Sequence, residues 1–144
     1  MIKIHPNIIV GSINELAQVL NTVHYIINCS VNLNNYMVHP NYLNTNIQKF
    51  SLDTLPTLNS IYDFVYQQVS LGKNIFLCCE TGTNQSLIIG MFIIMKMFNI
   101  NFYNVFYKIF YTNKINSYEY YSGLVNYEPY ILSNTNTNDK MDTS

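Results

Sequence analysis

Short apolar runs and segments of helical period take turns along this chain, and their alternation sets the order of the elements. Ser12-Ile13-Asn14-Glu15 has capping-box spacing and predicts a short helix through Leu20. Tyr25 to Asn28 reads as a buried strand. Residues 31–47 are rich in asparagine, contain Pro40, and predict a loop with at most an edge strand. Asp53 to Pro56 reads as a turn before a helix from about Leu58 to Val69, which Gly72 closes where helices favour a left-handed residue. The run Asn74 to Leu77 predicts a strand, and Leu87 to Phe98 a buried central helix. Asn99-Ile100-Asn101 is a break and cap before a helical segment from Phe102 to Tyr111. Ser117 is placed to cap a last helix to about Tyr127. This order predicts an α/β sandwich with a mostly parallel sheet.

Length allows one domain. A chain of 144 residues buries roughly two-thirds of its unfolded surface, enough for one real core. The domain is expected over residues 1–131, followed by a polar, disordered tail over 132–144 that lacks apolar periodicity. Hydrophobic residues make up 49% and charged residues 10%, so solubility falls to Asn, Ser, Thr and Tyr. A net charge of −1 gives no electrostatic case for nucleic acid or an anionic membrane. Leu87 to Met95 is too short to cross a bilayer, which needs about 20 residues.

Three cysteines, two of them adjacent, are a poor basis for a disulfide framework, and a reducing intracellular compartment is the expectation. His5, His24 and His39 lack metal-ligand spacing and read as surface or packing residues, and no cofactor is implied. All seven basic residues are lysines, and the chain contains no arginine. The enrichment in Asn, Ile, Tyr and Phe without Arg or Trp is that of an AT-rich coding sequence, as in some large DNA viruses and protists.

The chemistry concentrates in Cys78-Cys79-Glu80-Thr81-Gly82-Thr83-Asn84-Gln85-Ser86, between the strand-like run and the central helix. Backbone N–H groups in a loop that opens a helix favour an anion. Taken without their flanks, Cys78 and Cys79 read as ordinary buried thiols at a strand end. The stretch resembles the signature of the cysteine-dependent protein tyrosine and dual-specificity phosphatases: His-Cys, five residues with a central glycine, then Arg-Ser and a helix. Cys79 falls on the nucleophile, Gly82 on the loop glycine and Ser86 on the hydroxyl after the arginine. Cys78 stands for the histidine and Gln85 for the arginine.

Flanking segments extend the resemblance over residues 4–130. Ile8-Ile9-Val10-Gly11-Ser12 is similar to the opening strand and turn of the small dual-specificity domains, and His24 to Ser30 to their next strand. Tyr42-Leu43 with Phe50-Ser51-Leu52-Asp53 resembles the segment carrying the general acid. Leu124-Val125-Asn126-Tyr127-Glu128 resembles the closing helix. The resemblance implies a three-layer sandwich, a central mostly parallel sheet flanked by helices. It also implies a thiolate at Cys79, a phosphate loop over Cys79, Glu80, Thr81, Gly82, Thr83, Asn84, Gln85 and Ser86, and Asp53 as general acid; the bland reading of Asp53 is a solvated turn carboxylate.

Gln85 offers amide donors but no charge, and the thiol of Cys78 cannot replace an imidazole. Phosphoryl transfer relies on cationic arginines worth about 10³–10⁵ in rate, so turnover near background is expected. Three readings follow: a pseudophosphatase kept for binding a protein, including a phosphoprotein; a weak or substrate-specific phosphatase acting through Cys79; and a tyrosine-rich scaffold indifferent to phosphate. Cys29, at the end of its strand, is placed to approach Cys79 and form a reversible disulfide, as in some members of the family.

Overall fold

A computed structural model describes residues 1–30, 42–45, 51–80, 85–111 and 122–132. The elements are β1 (Ile2–His5), β2 (Ile8–Ser12), a 3-10 turn (Ile13–Glu15) leading into α1 (Leu16–Val19), β3 (Tyr25–Asn28), β4 (Tyr42–Asn44), α2 (Leu55–Ser70), β5 (Ile75–Cys79), α3 (Gln85–Phe98), α4 (Phe102–Phe106) with a π-helical extension (Tyr107–Tyr111), and α5 (Ser122–Asn126). The sheet runs β1-β2-β5-β3-β4, with β1 antiparallel to β2 and every other pair parallel.

The central strand β5 is buried along its whole length, as a parallel strand covered on both faces must be. Alternate side chains go to opposite layers. Ile75 and Leu77 join Ile8, Val10, Ile27 and Cys29 under α2, α3, α4 and α5. Phe76 and Cys78 join Ile26 beneath Ile13, Leu16, Val19 and Val23. The layers are therefore α1, sheet, and the remaining helices, the expected α/β sandwich.

α3 is apolar nearly all round, the pattern of a helix buried on all sides. It lies close on the sheet because Gly90 has no Cβ: one there would stand 2.8 Å from Ile4 Cδ1 and 3.2 Å from Val10 Cγ2. The expected capping box is present in its reverse arm, with Ser12 N donating to Glu15 Oε1 at 2.9 Å. Asn101 caps α4 by accepting from Asn104 N, and Glu128 of the closing segment accepts from the Phe102 amide.

Three boundaries differ from the sequence reading. α2 begins at Leu55, because Pro56 sits in its first turn, where a missing N–H costs nothing. β5 runs through both cysteines, because β2 and β3 pair them: Gly11 and Asn28 lie opposite Cys78, and Ser12 opposite Cys79. α3 begins at Gln85, two residues early. The edge strand in the asparagine-rich segment is β4, paired with β3. Ser117, the rest of that segment and residues 133–144 lie outside the described residues. Residues 128–132 are helical, with Ile131 buried. Among the described residues, no helix is long and apolar enough to cross a membrane.

Both long helices end in a left-handed residue. After α2, Gly72 has φ 78°, Gly72 N donates to Val69 O and Lys73 N to Gln68 O. After α3, Asn99 has φ 52° and Ile100 N donates to Met95 O. These bonds satisfy carbonyls the helix leaves open. Nothing stands within 4 Å of a Cβ built on Gly72, so only backbone strain opposes a side chain there. Gly72→Ala is expected to lower the unfolding free energy by about 1 kcal/mol in urea titration, with an unchanged slope.

Candidate active site

β5 carries Cys78 and Cys79 to the carboxyl end of the sheet, the edge at which open α/β sheets place their ligands. The strand sends the two thiols to opposite faces. Cys78 is enclosed with Phe76, Ile26, Ile13 and Leu16. Burial, and then the neighbouring Cys79, pushes its thiol up to about 12. An apolar pocket explains how a thiol is accommodated where the resemblance places a histidine, and it keeps that thiol protonated.

Cys79 faces the other way, toward α3. Its Sγ lies 3.0 Å from Ser86 Oγ, with both residues fully buried. Gln85, the first residue of α3, is half-buried beside them. Glu80 is exposed at the bend after β5. Thr81, Gly82, Thr83 and Asn84 lie outside the described residues. Of the expected loop, the structure thus brings together Cys79 and Ser86, with Gln85 adjoining.

Asp53 is exposed in the turn before α2. That turn is built by its neighbours, since Thr54 Oγ1 donates to Ser51 O at 2.9 Å and accepts from Ser51 N at 3.0 Å. Among the described residues, Asp53 is not hydrogen-bonded to Cys79 or Ser86.

Cys29 follows β3 and donates its backbone N–H to Cys78 O at 2.7 Å. The register Asn28 to Cys78 puts Cys29 level with Cys79 on the neighbouring strand. Cys29, Cys78 and Cys79 form no disulfide. Burial, and then Cys78 and Cys79, holds the Cys29 thiol well above the usual thiol range. Asn28 is fully buried and accepts from Ser30 N at 3.0 Å, fixing the chain as it leaves β3. Sequence reading left this pair out; its one signal is polar residues bracketing a cysteine after an apolar run.

The described lysines lie elsewhere, and the Met1 ammonium, at the start of β1 on this end of the sheet, is paired with Glu15 Oε2 at 2.9 Å. Lys73 precedes β5 and is six residues from Cys79, roughly 20 Å along an extended chain. Lys96 is eleven residues along α3 from Gln85, roughly 16 Å. Lys3 lies opposite Ile9 on an outer strand, and Lys108 acts on His5 at the far end of β1. Lys49, Lys114 and Lys140 lie outside the described residues. The N-terminus of α3, next to Cys79, is equivalent to about half a positive charge. Among the described residues, no group of three or more His, Cys, Asp or Glu side chains is arranged to hold a metal ion.

No family model matches the chain, and no curated protein does. Solved structures do. Human DUSP28 superposes with a TM-score of 0.75 at 15% identity, over 90% of this chain and 93% of that one. DUSP15 gives 0.71 at 17% identity, over 87% and 85%. The human tyrosine phosphatase-like serine/threonine/tyrosine-interacting protein gives 0.69 at 17% identity, over 92% and 97%. Helices on both sides of a mostly parallel sheet, with Cys79 at its carboxyl end against the first turn of α3, give this chain the fold of the dual-specificity phosphatases.

Proposed function

We propose that the chain is a pseudophosphatase of the dual-specificity family: a protein-binding module in which the nucleophile position is kept and the cation is lost. The observation that carries this reading is Gln85 opening α3 where the resemblance calls for arginine, in a chain without arginine and with its described lysines remote from Cys79. An amide supplies two donors and no monopole. A phosphate dianion beside a thiolate would then be opposed by charge and favoured only by dipoles. Loss of a single transition-state donor commonly costs about 10²–10³ in rate, and loss of a cationic arginine about 10³–10⁵.

A protein partner, including a phosphoprotein, is the proposed ligand. One structural neighbour is itself named as phosphatase-like and interacting. Exposed Tyr66, Tyr103, Tyr107 and Tyr130 give this chain aromatic surface of the kind that dominates interfaces; they also support the scaffold reading, in which binding survives substitution of Cys79 and Gln85.

The retained contact of Cys79 with Ser86 favours one competing reading, a weak phosphatase with a narrow substrate range. Hydrolysis of p-nitrophenyl phosphate separates the two. The unmodified protein is expected at background, unchanged by Cys79→Ser. Gln85→Arg with Cys78→His is expected to raise turnover at least about 10²-fold, and Cys79→Ser to abolish the gain. Turnover by the unmodified protein that depends on Cys79 and comes within tenfold of an active dual-specificity phosphatase assayed alongside would overturn the proposal.

The buried Cys78 has a consequence for any thiol chemistry here. With its thiol pushed up to about 12, its thiolate is scarce at pH 8. Iodoacetamide is expected to modify Cys78 at least tenfold more slowly in the native protein than in urea, as read by peptide mass spectrometry.

A further inference from the structure

At the end of the sheet opposite the cysteines, two asparagines join the feet of three strands. Asn7 precedes β2 and Asn74 precedes β5, and Asn7 Nδ2 donates to Asn74 Oδ1 at 2.9 Å. Asn7 O accepts from Ile75 N at 2.8 Å. Asn74 O accepts from His24 N at 2.8 Å and from Tyr25 N at 3.2 Å, and Asn74 Nδ2 donates to Thr22 O at 3.1 Å. The backbone N–H of each asparagine then goes to an imidazole. Asn7 N donates to His5 Nδ1 at 3.0 Å, and Asn74 N donates to His24 Nδ1 at 2.9 Å.

Both imidazoles serve as acceptors. A neutral ring accepts at Nδ1 when its proton is on Nε2, whereas an imidazolium donates from both nitrogens and accepts nothing. We propose that His5 and His24 form an acid-released latch at the foot of the sheet, closed on the Asn7–Asn74 bridge when neutral and opened at both sides when protonated. The bridge sets the start of β2, β5 and β3 together, so its opening loosens the strand that ends in Cys79.

The surroundings of His5 favour the neutral ring. Burial, and then the ammonium of Lys108, lowers its pKa below the ordinary 6.5. The other faces of the ring meet Phe98 at the end of α3, 6.1 Å between centroids, and its own strand, which carries Lys3. His24 is exposed, and the charged residue next to its partner Asn74 is Lys73. The sign follows from His5. With its folded pKa below the unfolded one, its contribution to stability is complete above pH 6.5 and is lost as pH falls through the folded value.

The test is thermal unfolding at pH 7.5 and 5.5 with His39 replaced by Gln throughout, leaving His5 and His24 as the remaining imidazoles. The melting temperature is expected to fall by roughly 5 °C between the two conditions. In the double variant His5→Asn with His24→Asn, an amide oxygen takes the place of each Nδ1 and accepts at either pH, and the fall is expected to shrink by more than half. A second measurement needs neither variant. The backbone amide shift of Asn7 is expected to titrate in step with His5, and both imidazoles are expected to carry their proton on Nε2 at pH 7.5. The proposal is overturned by an Asn7 amide shift that stays flat from pH 8 to 5, by a proton on Nδ1 of both rings at pH 7.5, or by a double variant that keeps the full fall.

Discussion

The pairing of β5 with β2 on one side and β3 on the other is the constraint on which the rest depends. Its backbone is buried, so each N–H and C=O must find a partner in the ladder. The alternation of side chains makes that register decisive for the chemistry: a slip of one residue exchanges the two faces. Cys78 would then meet Ser86, and Cys79 would be sealed under α1. The register is held at the foot by Ile75 N on Asn7 O and at the head by Cys29 N on Cys78 O. The identity of the site thiol is thus settled by backbone bonds at both ends of a strand, not by the thiols themselves.

The second constraint is the approach of α3. Gly90 lets the helix axis close on Ile4 and Val10, and the same closeness brings Ser86, one turn upstream, to 3.0 Å from Cys79 Sγ. The C-terminal end is fixed separately, by Asn99 in the left-handed region and the Ile100 bond to Met95. A helix fixed at both ends on a buried strand presents its N-terminal dipole in one place only, whether or not a charged side chain stands there to use it.

Much of this was legible in the chain because its causes are local. The Ser12 to Glu15 spacing, the left-handed Gly72 and the Asn101 cap each depend on a few neighbouring residues, and each is found where the pattern put it. The misplaced boundaries arose where a local rule met a non-local one. Pro56 looks like a turn until its position inside a first helical turn is known. The two cysteines look like a loop until β2 and β3 are seen to pair them. Strand order, the layer that each of Cys78 and Cys79 faces, and the use of His24 as an acceptor rest on contacts between distant segments, which no spacing encodes. At the site, the missing arginine was legible as composition, and the remoteness of the described lysines became visible only through the topology.

The electrostatics of the described side chains limit what the carboxyl end of the sheet can hold. The terminus of α3 offers about half a positive charge, confined to the first turn. Glu80 adds a carboxylate at the bend. Lys73 and Lys96 are farther from Cys79 and Gln85 than the screening length of about 8 Å at physiological salt, so their contribution through solvent is weak. Cys29 and Cys78 add no charge, being held protonated by burial. Among the described side chains none brings a cation to this place, and what they leave for an anion is the N–H groups of the first turn of α3. Directed hydrogen bonds of this kind select by geometry more than by charge.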